Sequence, residues 1–211
     1  MDRINILTLS IITVFFLHAA HGQSIHDITA KIREGRIQEA KALLIALEKT
    51  NPDKDYILFL HGLVSVNGDS ATRYYNDLLT KYPKSSYCDD ARFRIGQYRY
   101  VRGLYKQARE DFSQILKIHQ DSPLRFQAHY WIGLCFQATN QTDSAHFRFQ
   151  KVKDLSGSDD LIQLASQAQE NTEPNESVQT NPATKVPAIR YAVQVGAFSR
   201  QTNALLRKSF F

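Results

Sequence analysis

Four times along the chain an alanine is followed, four and seven residues later, by two larger apolar residues. The sets are Ala40, Leu44, Leu47; Ala71, Tyr75, Leu78; Ala108, Phe112, Ile115; and Ala145, Phe149, Val152. Offsets of four and seven place all three members of a set on one face of a helix. The alanines are 31, 37 and 37 residues apart. A recurrence of that length predicts a helical repeat array, in which each helix pair finishes its core against its neighbours.

The punctuation keeps the same step. Gly35, Gly103 and Asn140 each stand five residues before their alanine, and such residues tolerate the left-handed conformation that ends a helix. The second repeat is shorter, with Gly68 nearer its alanine. Pro52 and Pro83 each follow their alanine by 12 residues, where a helix must stop. Gly96 and Gly133 fall in the first helix of the third and fourth repeats. A glycine there costs up to ~1 kcal/mol against alanine, so its return predicts two helices in close approach.

Two segments, DDARFRIGQYRYVRGLYKQAREDFSQIL and QAHYWIGLCFQATNQTDSAHFRFQKV, resemble tetratricopeptide repeats. The resemblance covers roughly residues 25–155, strongest in the third and fourth repeats and weakest in the second. It departs at Arg99, where that family prefers an aromatic, while Phe136 keeps the rule. The resemblance implies an all-α solenoid of about four helical hairpins whose first helices line a concave, protein-docking groove. Carried onto this chain, the groove positions are Phe93, Gln97, Tyr100, Tyr130, Leu134 and Gln137. Phe93, Tyr130 and Leu134 equally suit a core between repeats.

The two ends read differently. Asp2 and Arg3 precede a 14-residue run from Ile4 to Leu17, followed by small residues at Ala19, Ala20 and Gly22. This is the layout of a secretory signal peptide, and the run is short of the roughly 20 residues a spanning helix needs. Cleavage after Gly22 is expected, giving a periplasmic or otherwise exported, envelope-associated chain from Gln23; the absence of a cysteine at the site speaks against a lipoprotein anchor. Beyond a polar helix at 158–170, residues 171–189 carry three prolines and few apolar side chains. That composition predicts a disordered tether spanning roughly 25 Å or more.

YAVQVGAFSR then alternates Tyr191, Val193 and Val195 with Ala192, Gln194 and Gly196, the period of a strand, and Ser199 suits a helix N-cap. RYAVQVGAFSRQTNALLRKSF resembles the opening strand and helix of a SPOR (sporulation-related repeat) domain. The resemblance implies a small α/β sandwich that binds septal peptidoglycan stripped of its stem peptides, here through Gln194, Gly196 and Phe198. The small polar residue often found three positions after the strand glutamine is Ala197 here. One strand and one helix cannot close a sheet, so residues 190–211 are expected to be the first part of a module truncated in this chain.

The remaining features set limits. A net charge of +5, with basic residues spread along the chain, does not suggest nucleic-acid binding. Arg92, Arg94, Arg99, Arg102, Lys106 and Arg109 are expected to form a solvated helix surface, because the turn at Gly103 divides them. Asp89 and Asp90 suit a helix N-terminus. Of two cysteines, Cys88 and Cys135, the second sits in the apolar run WIGLCF and is expected as a buried free thiol. His61, His119, His129 and His146 fall in different repeats, and neither catalytic motifs nor metal-ligand spacings stand out. No enzyme activity, cofactor, metal or small-molecule substrate is expected. The expected function is a bacterial envelope scaffold that docks an envelope or division protein through its repeats (residues 23–157) and targets septal glycan strands. The alternative is a periplasmic tetratricopeptide accessory for envelope assembly or transport, without glycan binding.

Overall fold

The computed structural model describes residues 24–156 and 158–171. The expected signal peptide, nearly all of the tether and the strand–helix segment with Gln194, Gly196 and Phe198 lie outside the described residues. Among the described residues the chain is entirely helical. The helices are α1 (24–33), α2 (Ile37–Thr50), α3 (Asp55–Val64), α4 (Gly68–Lys81), α5 (Cys88–Val101), α6 (Tyr105–Ile118), α7 (Arg125–Gln137), α8 (Thr142–Leu155) and α9 (Asp159–Glu170). Neighbours in sequence are neighbours in space, and α7 additionally touches α5 and α9. This is the one-step contact pattern of a helical repeat stack.

The anchor triplets explain that order. Ala40, Leu44 and Leu47, and each corresponding set, are the buried residues of α2, α4, α6 and α8. Each set joins a cluster built from its own hairpin and the next helix. Ile28, Leu44 and Leu60 tie α1, α2 and α3 together. Phe59, Tyr75 and Ile95 do so for α3, α4 and α5, and Phe93, Phe112, Trp131 and Ile132 for α5, α6 and α7. In the last cluster Phe149 and Val152 meet Leu161, Ala165 and Ala168 of α9. The sequence reading set α9 apart as a polar helix. Its Leu161, Ala165 and Ala168 repeat the small-residue spacing on one face and continue the stack by half a hairpin.

The turns within three hairpins are the same device. Gly35, Gly103 and Asn140 have φ of +78°, +74° and +54°. In each the following amide reaches back five residues: Arg36 to Lys31, Leu104 to Arg99 and Gln141 to Phe136, all at 2.9 Å. The left-handed residue itself donates three back, to Ile32, Tyr100 and Gln137. Those paired bonds are the Schellman closure. The short second repeat turns otherwise, with Asn67 Oδ1 accepting from the Ser70 amide at 3.0 Å as a helix N-cap.

The helix-interior glycines serve contact. A Cβ added at Gly96 would lie 2.8 Å from Cε1 of Phe112, and one at Gly133 would lie 2.5 Å from Cε1 of Phe149. The ring of the second helix therefore seats on bare backbone of the first. Gly62 takes the ring of Tyr75 in the same way. In the first repeat Ile28 stands 12 residues before its alanine, where the third and fourth repeats have glycine, and the ring is replaced by Leu44. Side-chain volume removed from one helix is returned by the other.

Candidate functional site

The first helices α5 and α7 carry all six residues expected to line a docking groove. Phe93 is 4% exposed and turns ring edges to Phe112 and Trp131, at 5.4 and 6.4 Å. One helical turn on, Gln97 is 6% exposed, and its Nε2 has no hydrogen-bond partner. Tyr100 is half-buried and meets Trp131 and Tyr105 edge to face, each at 5.2 Å. On α7, Tyr130 lies 5.9 Å from Phe149. Leu134 is half-buried between the third and fourth clusters. Gln137 Nε2 donates to the Ala168 carbonyl at 3.1 Å, fastening α9 to α7. The structure thus brings Phe93 and Tyr100 together around Trp131, and Tyr130, Leu134 and Gln137 beside α9.

Two polar groups that the sequence marks only as a helix-face anchor, Tyr75, and as a helix-start acid, Asp90, are desolvated by burial. Tyr75 is fully enclosed, its hydroxyl is without a hydrogen-bond partner, and burial raises its ionisation, with Arg94 opposing and Asp90 adding to the rise. Burial likewise pushes the Asp90 carboxyl up, against the pull of Arg94. Buried polar groups of this kind carry a desolvation cost that a hydrogen-bonding partner would relieve.

Two of the four histidines, His61 and His119, find carboxylates that spacing alone concealed. His61 Nε2 lies 3.0 Å from Glu48, and its ring stacks on Tyr74 at 4.9 Å. His119 Nδ1 lies 2.8 Å from Asp89. Each pair ties neighbouring helices and stands alone; among the described residues no group of three His, Cys, Asp or Glu side chains could hold a metal. Cys88 and Cys135 are free and buried, and burial pushes the Cys135 thiol up to about 12. The basic stretch is dispersed. Arg99 Nη1 spans both carboxylate oxygens of Asp111 at 2.7 and 2.8 Å. Arg102 lies 3.6 Å from Asp69, and Arg109 sits over Phe136 at 4.5 Å.

Two half-buried groups here titrate in opposite senses. Burial raises the Asp111 carboxyl from 3.8 to about 6, against the pull of Arg99 and Arg92, with Glu110 adding to the rise. Burial lowers the His129 imidazole from 6.5 to about 4, aided by Arg148 and Lys151. For Asp111 the native state holds more protons than the unfolded chain between those values, so its stabilising effect is complete below 3.8 and is lost as pH rises through 6. For His129 the unfolded chain holds more, so stability present above 6.5 is lost as pH falls toward 4. The contributions oppose each other over nearly one window. Asp111→Asn is expected to make stability fall on acidification from pH 7 to 4, and His129→Gln to make it rise, each by up to about 1.4 kcal/mol per pH unit. Urea midpoints across that range measure both; the same slope in the two variants would contradict the assignment.

Comparison with known protein families and with curated proteins finds no match to this chain.

Proposed function

We propose that this chain is a non-catalytic, exported adaptor of the bacterial cell envelope. Tetratricopeptide-type repeats dock a protein partner along the first helices of the hairpins, and a SPOR-type segment directs the molecule to septal peptidoglycan. The observation that carries the docking half is the stack itself. Four successive clusters link each hairpin to the next helix, which holds α3, α5 and α7 in register as one surface. Extended concave surfaces are what such arrays use for binding. Gln97 adds a side-chain amide donor without a hydrogen-bond partner on α5. The targeting half rests on the YAVQVGAFSR segment and on the leader-like first 22 residues.

The test is a fluorescent fusion of the complete protein, compared with its Gln194→Ala variant in dividing cells and in pull-downs on glycan strands freed of stem peptides. Enrichment at the septum and retention by the bare glycan are expected, both reduced in the variant. An even distribution around the envelope, with no retention by glycan, would replace this reading with that of a repeat-only assembly accessory.

A further inference from the structure

The third and fourth repeats align in sequence at an offset of 37 residues, and three aligned positions differ in charge. Arg92 corresponds to His129, Arg99 to Phe136 and Asp111 to Arg148. In the third repeat the acid answers the base, Arg99 on Asp111 at 2.7 Å. In the fourth, the position of the acid holds a second arginine and the position of the base holds a phenylalanine. Charge compensation is therefore lost on the face of α7 bracketed by α6 and α8.

Arg148 Nη1 lies 3.2 Å from His129 Nδ1. An arginine can only donate, so that nitrogen accepts and the imidazole is neutral, in keeping with its lowered ionisation. Arg109 comes to the same place from α6, its guanidinium over the Phe136 ring at 4.5 Å. Burial, and then Arg109, depress the Arg148 guanidinium. Among the described residues neither arginine nor Lys151 has a carboxylate within ion-pairing distance. Arg148 and Lys151 flank the Phe147 ring at 5.8 and 5.6 Å, and that ring is 56% exposed. A half-buried cation beside a like charge is costly until an anion joins it, and a guanidinium fork suits a carboxylate.

We propose that Arg109 and Arg148, with Lys151 beside them, form a carboxylate-binding site that receives an acidic segment of a protein partner, with an apolar residue of that segment resting on Phe147. The site lies apart from the row formed by Phe93, Gln97 and Tyr100 and holds whether or not the chain binds glycan. Charge complementarity selects the occupant, and the exposed ring favours a peptide over a bare anion.

The test uses the full chain and a fluorescein-labelled peptide of alternating Glu and Phe, with a Gln-for-Glu analogue, read by anisotropy at low and at physiological salt. The acidic peptide is expected to bind, to weaken as salt rises, and to lose about tenfold in affinity with Arg109→Gln or Arg148→Gln. Lys151→Gln, a change at the flanking cation, gives a smaller loss in the same direction, and Arg73→Gln on α4 gives none. Equal binding of the Gln analogue, or unchanged affinity in the folded Arg109→Gln and Lys151→Gln proteins, would overturn the site. Tighter binding of a single-stranded oligonucleotide, abolished by the same variants, would overturn the peptide as its occupant.

Discussion

Phe112→Ala is expected to cost about 3–5 kcal/mol, the range for truncating an enclosed phenylalanine, and to lower the melting temperature by roughly 10 °C or more. Its ring is 0% exposed. It seats on the backbone of Gly96, meets Phe93 edge-on at 5.4 Å and stacks on Trp131 at 5.7 Å. One side chain thus joins α5, α6 and α7. In a stack where each unit leans only on its neighbours, loss of that joint separates the hairpins before it from those after it. Circular dichroism should show a broadened or two-step melt. Trp131 is the single tryptophan of the chain, so its emission reports the joint directly and should shift red in the earlier step. A variant melting within about 2 °C of the parent, with unchanged emission, would mean that the ring does not hold the units together.

The parts of this fold that were legible in advance are those written within one helix or one turn. Ala108, Phe112 and Ile115 reveal their shared face by spacing alone, and all three are 0% exposed. Gly35, Gly103 and Asn140 announce their turns because few residues accept a positive φ. What stayed hidden depends on partners far along the chain. Gly62 performs the same service as Gly96, but its repeat is shorter, so it stands nine residues before its alanine instead of 12. The pairing of His119 with Asp89 spans 30 residues, and no local pattern marks it. The polar character of α9 masked three apolar residues sufficient to seat it. Of the six candidate groove residues, the helices that carry them were readable. The enclosure of Phe93 against Trp131, the burial of Gln97 and the fastening of Gln137 to Ala168 follow only from the packed structure. Arg148 was the most accessible of the omissions: setting the fourth repeat under the third shows a base where an acid had been.

The same alignment gives the second large effect. Gly133→Ala adds one methyl group to a helix interior, a change that on propensity alone should stabilise by up to ~1 kcal/mol. Here it is expected to destabilise by about 1–3 kcal/mol, because the new Cβ would enter the Phe149 ring and overpacking of a closed core costs that much. Phe149→Leu alone should also destabilise, by about 1–2 kcal/mol, since the ring is 0% exposed and leucine leaves part of its seat empty. The double variant is where the argument is decided. If the seat and the ring are one unit of volume shared between two helices, the shorter side chain makes room for the methyl group, and the two losses should cancel by about 1–2 kcal/mol instead of adding. The first repeat already has that form, with Ile28 and Leu44 in place of glycine and ring and both at most 1% exposed. Chemical melts of the parent, both single variants and the double variant measure the coupling. Strict additivity would show that the glycine is kept for the path of the backbone and not for the ring it receives.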